Sequence, residues 1–230
     1  MSKEKESKVE KNISAVEHAL SNSELFIEKN QKMIMYVVAG IVIIIAGYIG
    51  FKKFYLAPEE KEAQAQMFWA ERYFEKDSLN LALNGDGTNS GFLDIIDQYG
   101  ITKSANLANY YAGMCFLKKG QFEDAINYLK KFDSDDMIVS SMAKGAIGDA
   151  YMELGDNEKA IENYIKAAKN NNQFTAPIYL MRAGWTYENM ENYEEALKVY
   201  ERIQKEFFKS SESREIEKYI ARAKGMLNQK

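Results

Sequence analysis

The sequence predicts an all-α protein with a single N-terminal transmembrane helix, then an α-solenoid of stacked helical hairpins with a C-terminal capping helix. Three observations support this prediction. Residues 33–51 contain no charged side chain. Farther along, four positions recur at offsets of 35 and 36 residues. The 230 residues include only two prolines, Pro58 and Pro177, and few prolines suit a chain that is nearly all helix.

Changes in composition divide the chain into five segments. We predict a charged N-terminal tail at 1–32, a transmembrane anchor at 33–53, a juxtamembrane helix with a degenerate first repeat at 54–103, three repeats at 104–209 and a capping helix at 210–230. The tail carries six lysines and six glutamates, so the net charge of −4 belongs to the remainder.

The apolar segment is expected to stay in the mature protein as an anchor. As a helix, its 19 uncharged residues would extend roughly 28 Å, which is close to the thickness of the hydrocarbon core of a bilayer. Lys52, Lys53, Phe54 and Tyr55 follow it, and lysines with aromatic residues are typical where a helix leaves lipid. A cleaved signal peptide has a shorter apolar region, and small residues mark its cleavage site.

The orientation of the anchor is left open by its flanking charges. Two lysines lie within residues 12–32 and four basic residues within 52–72, which favours a cytoplasmic C-terminal part. Four further lysines lie just beyond that window on the N-terminal side, and long domains cross membranes regardless of charge. Both orientations therefore stay open at this point.

Composition argues against enzymatic activity and against nucleic-acid binding. The sequence pI is about 5.3, whereas phosphate binding requires a basic patch. The single histidine, His18, lies in the tail, so no histidine-based catalytic pair can form in the folded domain. The single cysteine, Cys115, excludes an internal disulfide and is interpreted as a buried apolar residue. We therefore predict no catalytic residue, no metal, no cofactor and no small-molecule substrate.

Three stretches of the chain share one pattern of small and large residues: GMCFLKKGQFEDAINYL, GDAYMELGDNEKAIENY and GWTYENMENYEEALKVY. Each has a glycine, an aromatic residue three positions later, an alanine twelve positions after the glycine, and a large side chain four positions beyond the alanine. Small residues are needed where two antiparallel helices cross closely. The repeat-defining small residues are Gly113, Ala125, Gly148, Ala160, Gly184 and Ala196.

This pattern resembles the tetratricopeptide repeat, a helical hairpin with a period of about 34 residues. Departures are small: Asn157 replaces an aromatic residue, and Glu191 replaces the glycine of the turn. Residues 59–77 and the stretch GFLDIIDQYG are expected to form a degenerate first repeat. Ile216, Ile220 and Ala223 form one stripe of the predicted capping helix.

The resemblance implies where a partner would bind. In this family the first helix of each hairpin lines a concave surface that takes up peptides or partner helices. By register, the side chains directed to this groove are Leu107, Tyr110, Met114, Met142, Met181, Arg182 and Trp185. Members that clamp a peptide carboxylate use Lys and Asn, where this chain has Tyr110, Gly145 and Met181. An alternative is that the helix at 64–74 or neighbouring repeats cover these residues.

The order of segments resembles the YfgM-type family of bacterial inner-membrane proteins, in its Bacteroidetes-type form. The similarity extends over essentially the whole chain and is carried mainly by YYAGMCFLKKGQFEDAINYLKKF and AKGAIGDAYMELG. It implies an ancillary subunit of the SecYEG translocon, with periplasmic repeats, that pairs with a membrane-bound foldase of the PpiD type and meets unfolded secreted clients.

These observations lead to one main hypothesis and two alternatives. The main hypothesis is a non-enzymatic scaffold that binds partner or client proteins at the inner membrane and assists Sec-dependent secretion or envelope-protein folding. The first alternative is a structural adaptor that assembles an envelope complex for division or outer-membrane assembly. The second is an adaptor that faces the cytoplasm.

Overall fold

The computed structural model describes residues 2–229, with side chains for residue 26 and residues 28–229. Over this part of the chain the secondary structure is entirely helical, as the sequence predicts. Contacts divide the chain into two compact units, Met1–Ala57 and Pro58–Lys230.

The first unit is built on α1, Ser2–Phe51. This helix begins well before the predicted anchor, so the backbone of the charged tail is helical too. The large side chains of the anchor are mostly exposed, including Ile43 and Ile44. By length and composition the helix can cross a membrane, and lipid would remove this apolar surface from water.

A π-helical turn, Lys52–Leu56, follows α1 and was not anticipated from the sequence. The N–H of Ala57 donates to the carbonyl of Lys52, five residues earlier. Pro58 comes next, and within an α-helix its ring would collide with the carbonyl four residues back. The wider π turn gives that ring room, so we attribute the irregularity to Pro58.

The second unit contains ten α-helices among its described residues. They are α2 (Ala57–Glu75), α3 (Leu79–Asn84), α4 (Phe92–Gln98), α5 (Lys103–Lys118), α6 (Phe122–Lys131), α7 (Met137–Glu153), α8 (Asn157–Ala168), α9 (Ala176–Asn189), α10 (Tyr193–Glu206) and α11 (Ile216–Leu227). A short 3₁₀ turn, Glu212–Glu215, precedes α11. Three successive hairpins, α5–α6, α7–α8 and α9–α10, form the centre of this unit.

The second helix of each hairpin follows the first after a tight turn. In all three turns an N–H donates to the carbonyl five residues earlier, from Gln121, Asp156 and Asn192. The Asp156 and Asn192 side chains also cap α8 and α10 by accepting from a backbone N–H three residues later. The turns are therefore built alike, which explains the regular stacking of the hairpins.

Within each hairpin, the recurring glycine faces the large residue 16 positions later. A Cβ atom added to Gly113, Gly148 or Gly184 would lie only 2.2 to 2.6 Å from a side-chain atom of Leu129, Tyr164 or Tyr200. The three recurring alanines are completely buried. Close packing at the crossing of the two helices thus accounts for the repeated small residues.

Helix α2 runs beside α5 and parallel to it. The Glu60 carboxylate accepts from the Lys103 backbone N–H at 2.6 Å and from the Ser104 hydroxyl at 2.8 Å, where both helices begin. Where they end, the Lys118 ammonium donates to Asp77 at 2.8 Å. Helix α2 is therefore bonded to α5 near both ends, and the degenerate first repeat stays a prediction.

The last helix, α11, closes the other end of the stack. Ile216, Ile220 and Ala223 are buried on one face, as the stripe in the sequence predicts. Ile216 and Ile220 share a core cluster with Ile203 and Phe207 of the preceding segment. The apolar face of the last hairpin is thereby covered.

Candidate protein-binding groove

The first helices of the hairpins present three rows of equivalent positions. Residues 35 and 36 apart in α5, α7 and α9 are equivalent, because the repeating glycines have these offsets. The outer row is Leu107, Met142 and Ile178; the floor row is Tyr110, Gly145 and Met181; the inner row is Met114, Asp149 and Trp185. Six of the seven predicted groove residues fall on these rows, and Arg182 lies beside them.

The floor row is buried. Tyr110 packs against the ring of Phe132, with ring centroids 5.3 Å apart, and Met181 belongs to the core of the last hairpins. At Gly145 the ring of Tyr179 fills the space that a side chain would occupy, because an added Cβ would lie 1.9 Å from its Cε1 atom. These residues support the groove, and little of their surface is open to a partner.

The outer and inner rows hold the accessible apolar side chains. Met142, Ile178 and Trp185 are 41%, 38% and 44% exposed, while Leu107 and Met114 are half-buried. Ile178 is not among the groove residues predicted from the sequence, although it lies at the same register as Met142. Register was thus the signal that would have identified it. Apolar and methionine side chains at this density suit contacts with apolar protein segments.

Arg182 is held in an ion pair. Its guanidinium contacts the Asp149 carboxylate and lies 5.6 Å from the ring centroid of Tyr179. Burial alone would lower the pKa of Arg182, but hydrogen bonding and the charge of Asp149 outweigh it and raise the pKa. The Tyr164 hydroxyl donates to the same carboxylate at 2.8 Å, and burial, together with Asp149, raises the pKa of Tyr164. Arg182 therefore joins neighbouring hairpins.

Each end of the groove is formed by a flanking helix. At the N-terminal end, Gln64, Met67 and Phe68 of α2 and Leu107 of α5 line a shallow pocket. At the C-terminal end, the rings of Trp185 and Tyr219 lie 6.2 Å apart. Helix α2 thus borders the groove beside Leu107, while Met142 and Trp185 remain exposed.

Comparison with known protein families agrees with this geometry. Residues 107–135 and 146–211 match models of the tetratricopeptide repeat. The hairpins are tetratricopeptide repeats. This assignment makes α5, α7 and α9 the first helices of three such repeats.

Solved structures with tetratricopeptide-like folds resemble the chain in architecture. The match to a crystal structure of MamA protein covers 73% of this chain and 92% of the MamA chain, with a TM-score of 0.51 at 18% sequence identity. A putative kinesin light chain of Podospora anserina with nearly identical TPR-like repeats covers 74% and 88%, with a TM-score of 0.52 at 14% identity. At these identities the likeness concerns the fold alone. A comparison with curated proteins gives no significant match.

A tetratricopeptide-repeat fold is typically a scaffold for protein interactions. Cys115 is buried in α5, and burial raises the pKa of its thiol to about 12, so the reactive thiolate is disfavoured. Among residues whose side chains are described, no three His, Cys, Asp or Glu side chains group together as metal ligands. The accessible side chains of the groove are mostly apolar, which suits contact with another protein.

Proposed function

We propose that this protein is a membrane-anchored scaffold that binds client or partner proteins at the bacterial inner membrane. In this role its repeats face the periplasm, next to the SecYEG translocon and a PpiD-type foldase, and assist secretion or envelope-protein folding. The observation that carries the proposal is the exposed apolar groove, formed by Met142, Ile178 and Trp185, on a chain with an apolar anchor. The translocon setting comes from the resemblance of the whole chain to the YfgM-type family.

The mechanism is an increase in local concentration. A tether confines the groove to a thin layer next to the membrane, where newly translocated chains emerge. Weak apolar contacts then suffice, because the effective concentration of the groove is high. Flexible methionine side chains adapt to apolar segments of different shape, which suits varied clients.

Site-specific photocrosslinking tests the groove in the full chain in cells. A photoreactive residue at Met142 is compared with one at Leu154, which lies at a hairpin turn and has nearly the same exposure, 40% against 41%. We expect crosslinks to many unrelated secreted chains from Met142 and few from Leu154. One or two stoichiometric partners would instead indicate the structural adaptor. Equal crosslinking from both positions would contradict the groove.

A second variant separates binding from folding. Trp185→Ala removes an exposed groove side chain, whereas Tyr110→Ala would remove a buried ring and disturb the core. We expect Trp185→Ala to reduce client crosslinks from Met142 while circular dichroism stays unchanged. The matched variant Leu154→Ala should leave crosslinking unchanged. Full client capture by folded Trp185→Ala would exclude Trp185 from the groove.

Protease protection tests the orientation of the repeats. Cells with a permeabilised outer envelope are treated with protease, and a cytoplasmic protein serves as the protected control. Digestion of the repeats is expected for a periplasmic scaffold. Protection that ends only when the inner membrane is lysed would indicate the cytoplasm-facing adaptor, which the local count of basic residues favours.

A further inference from the structure

Large apolar side chains are exposed in, or directly after, the connections that precede α5, α7, α9 and α11. These residues are Ile101, Met137, Phe174 and Phe208, and they are 60%, 56%, 77% and 67% exposed. We call them the junction row. Ile101, Phe174 and Phe208 lie in the connections before α5, α9 and α11, and Met137 is the first residue of α7.

The junction row lies along one edge of the solenoid. Antiparallel helices in each hairpin place every junction between hairpins on the same side, opposite the tight turns within hairpins. Asn106, near the start of α5, exchanges two hydrogen bonds with the backbone of Asp133 in the next junction, at 2.7 and 3.0 Å. Farther along, Phe174 and Lys209, from two successive junctions, line a common pocket. The junctions therefore adjoin one another.

This edge is also the one at which the polypeptide enters from the anchor. Glu60, in the first turn of α2, is bonded to the first residues of α5. The first turn of α2 therefore belongs to the same edge as Ile101 and Met137. Only the π turn, Lys52–Leu56, separates α2 from α1. The chain therefore joins the anchor to this edge, which we call the tethered edge, through five residues.

The opposite edge differs in exposure. The large apolar residues at its turns, Leu81, Leu154 and Met190, are 41%, 40% and 39% exposed, below every member of the junction row. The two aromatic residues of the junction row, Phe174 and Phe208, are the most exposed of all these residues. The more exposed apolar edge is thus the one that includes the first turn of α2.

The charges of the tethered edge are mixed. Lys103, Lys169 and Lys209 are exposed there, as are Asp133 and Asp135. Attraction to anionic headgroups is therefore nearly balanced by repulsion. Apolar insertion is the interaction that remains, and phenylalanine and aliphatic side chains are typical of segments that rest in the interface of a bilayer.

We propose that the tethered edge rests on the lipid surface and that the junction row inserts into its interfacial layer. This inference depends on the membrane anchor of the proposed function, but not on clients or on the translocon. The occupant is a lipid surface, and pure lipid vesicles are the probe. A protein that covered this edge instead would leave the junction row unburied in such vesicles.

Fluorescence quenching tests the proposal in the full chain, reconstituted in phosphatidylcholine vesicles. Single cysteines replace Gln173, beside Phe174, and Asn189, at the other end of α9, and each carries an environment-sensitive dye. Native Cys115 is buried and stays unlabelled. Lipids with a shallow spin label are expected to quench the dye at 173 and to spare the dye at 189. A third dye at Ile44 reports on the anchor and should be quenched by a deep label.

Two matched double variants tie the quenching to the junction row. Phe174→Ser with Phe208→Ser should abolish quenching at 173, whereas Leu154→Ser with Met190→Ser should preserve it. Equal quenching at 173 and 189, with the dye at Ile44 quenched, would overturn the lipid contact and leave the anchor intact. An unquenched dye at Ile44 would overturn the anchor, and with it this proposal. Circular dichroism of every variant confirms the helical fold.

Discussion

The turn inside each hairpin requires one residue with a left-handed backbone, and the repeats meet this demand differently. Gly120 and Gly155 have φ angles of 73° and 76°, whereas Glu191, at the equivalent place, has a φ of 54°. A residue with a side chain is disfavoured in this region by roughly 1–2 kcal/mol. The third repeat therefore tolerates strain that the other two avoid.

Replacing Glu191 by glycine and replacing Gly155 by alanine should change the free energy of unfolding in opposite directions. We expect Glu191→Gly to raise the free energy of unfolding by about 1 kcal/mol, since it relieves the strained backbone. Gly155→Ala should lower it by a similar amount, and only through the backbone, because no other atom lies within 4 Å of the added Cβ. Urea unfolding of the full chain in detergent, followed by circular dichroism, measures both. A loss of stability in Glu191→Gly would show that contacts of the Glu191 side chain outweigh the strain.

At the scale of the residue, the sequence predicts contacts that form within one hairpin. The approach of Gly184 to Tyr200 repeats at a fixed spacing, so it is visible in the pattern itself. Contacts between hairpins are less visible. Tyr110 shares a core cluster with Ala143 of the next hairpin, and Gly145 is covered by Tyr179 of the hairpin after that. Which groove positions stay accessible thus depends on how hairpins stack, and register alone does not reveal this.

At the scale of the element, the capping helix α11 is held in place by the apolar side chains that it buries. Ile216 is almost completely buried against the last hairpin, whereas Glu217 on the same helix is exposed. The end of a solenoid must be covered, because each hairpin buries its apolar face against its neighbours.

Truncation of Ile216 should therefore weaken the end of the stack. We expect Ile216→Ala to lower the free energy of unfolding by about 2–5 kcal/mol, through lost apolar contact and a cavity. Glu217→Gln should change it by less than about 0.5 kcal/mol, as is usual at exposed positions. Hydrogen exchange of α10 and α11, with urea unfolding, measures the effect. An equal response to both substitutions would contradict a capping role for α11.

The element that the sequence does not reveal is the π turn before α2. Helix signals continue across Lys52–Leu56, and Pro58 alone suggests a boundary without saying how the chain accommodates it. The order of the helices that follow is predictable because the repeat fixes it. The short α3 has no equivalent in the other repeats.

At the scale of the whole molecule, the core contains several tyrosine hydroxyls and one cysteine thiol, which are neutral at pH 7 and become negatively charged at alkaline pH. Burial raises the pKa of Tyr179 from 10.0 to about 12 and that of Cys115 from 9.0 to about 12. Burial also raises the pKa of Tyr110, Tyr164 and Tyr200. These groups are distributed over all three core clusters of the second unit.

Stability should therefore decline at alkaline pH. The unfolded chain ionises at the ordinary pKa values, whereas the folded chain holds these groups neutral, so stability is complete below about pH 8.5 and is lost as pH rises towards 12. Each such group contributes a slope of about 1.4 kcal/mol per pH unit within its window. Urea unfolding at successive pH values measures the decline. Cys115→Ala should remove the loss of stability that begins near pH 9, the ordinary pKa of the thiol. If stability depends on pH in the same way with and without this substitution, the thiol is not buried in the folded chain.

The bonds of Glu60 have a mechanical consequence. A pull on the anchor, for example by a moving partner in the membrane, reaches the second unit at the first turn of α2. There the Glu60 carboxylate is bonded to Lys103 and Ser104, so the load passes at once into α5. Asp77 and Lys118 join the far ends of the same two helices. Tension on the anchor is thus shared by α2 and α5. To separate α2 from α5, the bonds of Glu60 and the bond between Asp77 and Lys118 must both break.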